Sequence, residues 1–142
     1  MDDPTALTDE EFRQSLERGT IPNHAFPHRD HLRLAWIYLR ESDLDTAVRR
    51  LRQSIRGYAQ HQGAGHKYHE TLTQAWARIV ALAIAETPHA DAFGALLAAR
   101  AHLLDKNLPI KHFSPGLLWS DHARERWVEP DLRPFPALVI PN

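Results

Sequence analysis

Between Leu44 and Tyr58 the apolar residues fall three or four apart, as Leu44, Ala47, Val48, Leu51, Ile55 and Tyr58. Only a helix gathers positions with that period onto one face, and Gly63-Ala64-Gly65 closes the run. The same period recurs on either side. Leu32, Ala35, Trp36 and Leu39 predict a helix over about 28–40, while Leu72, Trp76, Ile79 and Ala83 predict another that stops near Thr87-Pro88. Thr8 and Glu11 have the spacing of a capping box, opening a short helix over about 9–18 that carries Phe12 and Leu16 and halts at Gly19. Ser42 and Asp45 supply a second cap signal before Leu44. Phe93, Leu96 and Leu97 mark a fifth helix over about 91–103, and a shorter one is expected over about 120–127. No segment of useful length alternates with the period of a strand. The expected fold is therefore all-α: a single-domain antiparallel bundle of about five helices over residues 8–127, then an extended Pro-rich tail, 128–142. That tail is expected to lie docked or frayed, with Phe135, Leu138, Val139 and Ile140 available to the core or to a partner.

The chain has 142 residues, the size of one domain, and a formal charge of −1 from nearly balanced acids and bases. That balance argues against nucleic-acid binding, and the run Arg49-Arg50-Leu51-Arg52 reads as a solvated helix face. There is no cysteine, so disulfides, thiolate metal sites and cysteine nucleophiles are excluded. The start, Met1-Asp2-Asp3-Pro4, lacks a basic segment followed by an apolar core, and the run Ile79 to Ala85 is too short to cross a bilayer. A cytoplasmic protein with no membrane partner is expected. No glycine-rich phosphate loop, nucleophile elbow or dinucleotide fingerprint is present.

Chemistry-bearing residues concentrate in two stretches, Phe26-Pro27-His28-Arg29-Asp30-His31 and His66-Lys67-Tyr68-His69-Glu70-Thr71. Short connections usually make consecutive helices antiparallel neighbours, so the starts of the second and fourth helices are expected at one end of the bundle, with Lys111 and His112 emerging there too. His28 and His31 share a helix face, and His69 aligns with Leu72 and Trp76 on the apolar stripe. Glu70 is rotated by about 100° from His69 on an ideal helix.

The expected site is a divalent transition metal, zinc, iron, nickel or copper, held by His28, His31 and His69 with Glu70 as fourth ligand or general base. On zinc, bound water would reach a pKa of roughly 7 and a carboxylate or His69 could move its proton. Ferrous iron with two histidines and a carboxylate would leave positions for oxygen. Two other readings stay open. One is a metal-free pocket in which a histidine is the acid-base catalyst. The other is purely structural: His28 caps a loop-helix junction, His31 bonds a backbone carbonyl and His69 bonds a nearby tyrosine. Arg29, Tyr68 and Lys111 are candidates to bind substrate, and Arg29, Lys67 and Lys111 together with two helix N-termini would favour an anion. Taken singly, these cations read as solvated surface charge. His61 complements a helix C-terminus, His89, His102 and His122 read as surface or junction residues, Trp36 and Trp76 as core, and Asp30 as a cap or as an orienting partner for His31.

The segments F-x-H-x-D-H-L at 26–32 and Y-H-E-T at 68–71, with R-E-R-W-V-E-P-D at 124–131, resemble a group of small bacterial all-helical proteins. The resemblance spans most of residues 8–131. It implies a shared architecture and carries no particular activity with it. Pro27 departs from the more variable or polar residue expected there, which puts none of the candidate ligands in doubt. The leading expectation is a small metal-dependent enzyme, a hydrolase or lyase ahead of a non-haem iron oxygenase, acting on a small polar or anionic molecule. The alternative is a non-catalytic module that binds a small molecule or a protein through the same histidine-lined pocket or the tail. A homo-oligomer that exchanges its tails is the third.

Overall fold

A computed structural model of the protein describes residues 7–20 and 28–136. Phe26 and Pro27 of the first motif, and Leu138, Val139 and Ile140 of the tail, lie outside the described residues. Among the described residues the regular elements are all helical: α1 (Asp9–Glu17), α2 (His28–Glu41), α3 (Leu44–His61), α4 (Glu70–Glu86), α5 (Phe93–Ala99), α6 (Pro115–Leu118) and α7 (Asp121–Glu125). Single 3-10 turns stand at Gly65–Lys67, Ala101–Leu104 and Leu108–Lys111. Among the described residues no helix is long and apolar enough to cross a membrane. The chain packs as two compact units, the first ending at Tyr68 and the second beginning at His69.

In the first unit, α1 starts at the capping box its sequence announces. Thr8 Oγ1 accepts from the Glu11 amide at 3.1 Å, and Glu11 Oε1 accepts from the Thr8 amide at 3.0 Å. The start of α3 is set by a different residue from those the sequence suggests. Asp43 accepts from the Thr46 amide at 2.7 Å, while the Ser42 hydroxyl turns back to the carbonyl of Tyr38. Asp43 wins because it is the residue three before the amide that needs an acceptor. Phe12 and Leu16 of α1 are buried, as are Ala47, Val48, Leu51 and Tyr58 of α3. On α2 every residue from Leu32 to Tyr38 is buried, so this helix hides all of its faces rather than one stripe.

Burying the whole middle of α2 includes burying Arg33, and its charge is answered. Its guanidinium bonds Asp9 Oδ1 at 3.0 Å and the Leu7 carbonyl at 2.6 Å, and lies 4.7 Å from the centre of the Phe12 ring. Between α2 and α3, Glu41 meets Arg50 at 2.8 Å and Tyr38 meets Ser54 at 2.6 Å.

In the second unit, the periodicity of α4 misplaces its buried face. Thr71, Thr73, Ala75, Ala77, Val80 and Ala83 are buried, whereas Leu72, Trp76 and Ile79 are only half-buried. Small residues let neighbouring elements approach the helix, and the bulkier side chains pack along its flanks, as Leu72 does against Ala75, Phe113 and Leu118. The expected fifth helix ends early. α5 stops at Ala99, Arg100 turns to bond Thr87 Oγ1 at 3.1 Å and the Glu86 carbonyl at 3.2 Å, and the chain goes on as a 3-10 turn. A cation is thus placed at the C-terminus of α4, where the helix dipole favours one.

The tail as far as Pro136 is held without regular structure. Asp131 accepts from both the amide and the hydroxyl of Ser114, and the His112 carbonyl accepts from the Leu132 amide at 3.0 Å. The His112 ring gives its Nδ1 proton to the Arg133 carbonyl at 2.8 Å and stacks on Phe135 at 4.0 Å.

Candidate functional site

A cleft of about 440 Å³ lies among α1, α2 and α3 in the first unit, within the range of small-molecule sites. Its wall carries a chain of three polar side chains from three helices. Tyr38, whose side chain is fully buried, bonds Glu17 Oε1 at 2.7 Å and Ser54 Oγ at 2.6 Å. Burial raises the Tyr38 phenol above its ordinary range. The neighbouring Glu17 carboxylate adds to the rise, and the Ser54 bond and the Arg50 charge oppose it. The group stays protonated and can donate. Arg50 lies 4.2 Å from the centre of the Tyr38 ring while bonding Glu41. Burial likewise raises Tyr58, another lining residue.

Two glycines shape this cleft. Gly19, just past α1, has a φ of +71°, and a Cβ there would come within 3.0 Å of the His61 ring. Only glycine serves both demands at once. Gly57 lies inside α3 with open space where a Cβ would be.

The residues expected to form a metal site fall in both units. His28 and His31 open α2 in the first unit and are half-buried. Arg29 follows His28 with Nη1 3.9 Å from the buried Asp30 carboxylate, and Tyr68, also buried, lies under Arg56 at 5.6 Å. Lys111 is exposed at the end of a 3-10 turn in the second unit. Among the described residues no group of three or more His, Asp or Glu side chains is arranged to hold a metal ion.

His69 occupies a position the periodicity does not predict. It precedes α4 as the N-cap instead of lying on the helix stripe. The Leu72 amide donates to its Nδ1 at 3.1 Å, and its Nε2 lies 2.7 Å from the Leu118 carbonyl. An amide can only donate and a carbonyl can only accept, so the ring is neutral with its proton on Nε2. Burial, joined by the charge of Arg124 and opposed by the Leu118 bond, holds its pKa below the ordinary histidine value. Glu70 begins α4, is buried, and accepts from Gln74 at 2.6 Å. Thr71 donates to the Arg126 carbonyl at 2.8 Å. The Y-H-E-T segment thus fastens α4 to the chain around Leu118 and Arg126, and Trp127 beside Arg126 is covered by Arg78 at 4.1 Å.

The chain matches no family model, no curated protein and no solved structure. Its function is therefore argued from geometry alone. Sequence reasoning passed over the cleft because Glu17, Tyr38 and Ser54 are spread over three helices and form no local motif. The available signal was Gly57. A glycine inside a helix as regular as α3 costs about 1 kcal/mol relative to alanine and usually has a packing or functional reason.

Proposed function

We propose that the protein is a binding module for a small polar molecule, held in the cleft of its first unit. The observation that carries this reading is the Tyr38 hydroxyl, fixed between Glu17 and Ser54 in the wall of a cleft of ligand size. Such an array is ordered before any ligand arrives, which lowers the entropy cost of binding. The reading takes α2 and α3 as an antiparallel pair, from the opposed sense of their contacts. The metal-dependent enzyme asks more of the chain. A metal at His69 would displace either the Leu72 amide from Nδ1, undoing the cap of α4, or the Nε2 proton, breaking the tie to Leu118.

The test is an amide-resolved NMR titration of the intact protein with small carboxylates, phosphates, amines and polyols. Shifts are expected to gather at Gly19, Gln53, Gly57 and His61, which line the cleft, and to vanish in Gly57→Leu, whose side chain would fill it. If every probe leaves those amides in place, or if Gly57→Leu responds like the parent, the reading is wrong.

A further inference from the structure

We infer that the cleft takes a small anion bearing a hydroxyl group near its charge, such as a hydroxycarboxylate or a phosphorylated polyol. The inference rests on the reading of the cleft as a binding site and follows from counting protons and charges along its wall. An ionised Glu17 can only accept, and it takes the one proton of Tyr38 at 2.7 Å. The Tyr38 oxygen must then accept at 2.6 Å from Ser54, whose single proton is spent there. The relay has one direction, from Ser54 through Tyr38 to Glu17. At the donor end of the relay, the Ser54 oxygen keeps acceptor capacity and can take an O–H or N–H from the ligand.

The charges decide the rest. Counted over the lining alone, Glu17 carries one negative charge and Arg18 and Arg50 one positive charge each; Arg13, which bonds Glu17 at 3.0 Å, is shared with Glu10, and Arg50 bonds Glu41 at 2.8 Å. Arg18 also lines the cleft and makes no ion pair among the described residues, which leaves an excess of one positive charge. Arg50 spends one N–H on Glu41 and has others to give.

An ammonium ligand would add a further positive charge to a lining that already carries an excess of it. The donor that meets Ser54 is thus a hydroxyl, carried by a molecule whose negative charge meets Arg18 and Arg50.

The experiment is a titration of the full chain, followed at the Gln53 and Gly57 amides, with glycerate, glycerol 3-phosphate, propionate, glycerol and ethanolamine as probes. Glycerate and glycerol 3-phosphate are expected to bind, with propionate, which lacks both hydroxyls of glycerate and so has none to give Ser54, weaker than glycerate by at least about three- to tenfold, the value of the one hydrogen bond to Ser54. Ser54→Ala should bring glycerate down to the level of propionate, Ser54→Thr should keep the preference, and Arg18→Gln should weaken both acids. The unperturbed remainder of each variant's spectrum verifies its fold. If ethanolamine or glycerol moves these amides and the anions do not, the anion is overturned while the binding site stands. Equal binding of glycerate and propionate, unchanged in Ser54→Ala, overturns the hydroxyl. Silence from every probe overturns both the ligand class and the site.

Discussion

His69 shows how much a single ring can hold together when both of its nitrogens are used. Nδ1 closes the N-terminus of α4 through the Leu72 amide, and Nε2 reaches the Leu118 carbonyl, 49 residues away. Losing an N-cap costs about 0.5–2 kcal/mol, and losing one more hydrogen bond about 0.5–1.5 kcal/mol. His69→Ala is therefore expected to destabilise the protein by roughly 1–3 kcal/mol in urea unfolding. His69→Asn, which can cap but cannot reach Leu118, should recover only the first part. The same residue gives the stability a pH dependence of definite sign. Its folded pKa lies below the ordinary value of 6.5, chiefly through burial, so the unfolded chain takes up the proton first as pH falls. The contribution is complete above 6.5 and drains away as pH drops from there through the folded value. Unfolding at pH 7.5 and at about 5.5 should show a loss in the parent that is smaller in His69→Asn. Identical losses in both would remove His69 as its source.

Among the elements, α3 and its neighbours show where local sequence is sufficient and where it is not. The stripe of α3 and the capping box of α1 were legible because each is decided within a few residues. The buried face of α4 was not, since it is set by what packs against the helix, and there alanine and threonine win over leucine and tryptophan. Nor was the cap of α4, because histidine is not among the usual capping residues and its second bond is remote in sequence. The two cleft glycines separate these effects experimentally. Gly57→Ala adds a methyl group to open space within a helix and is expected to stabilise by about 0.5–1 kcal/mol. Gly19→Ala meets both a positive φ and the His61 ring, and should destabilise by more than about 1 kcal/mol. Urea midpoints measured side by side would settle the two signs, and a stabilised Gly19→Ala would contradict the close packing of His61.

At the scale of the whole molecule, the histidine-rich motifs divide between two units, His28 and His31 in the first and His69 with Glu70 in the second. All-helical architecture was readable in the sequence because periodicity survives without knowledge of partners. The roles of the histidines were not, because a ring nitrogen serves a metal, a proton or a backbone carbonyl with the same lone pair or N–H, and spacing does not choose among them. For His69 the choice falls to the backbone. Around it, Thr71 bonds Arg126, Arg78 covers Trp127, and Ala75, Phe113 and Leu118 close a core, each by contacts that need no ion. A fold whose stability came from a bound metal would behave otherwise, since metal binding there is folding free energy. Protein purified without a nickel column and treated with a chelator is accordingly expected to change its melting temperature by less than about 2 °C, a shift worth under 1 kcal/mol in a chain of this size. Calorimetry before and after treatment measures it directly. A larger fall, reversed by one equivalent of zinc, iron, nickel or copper and abolished in the double variant His31→Ala, His69→Ala, would return the chain to the metal-dependent reading and require the start of α4 to rearrange around the ion.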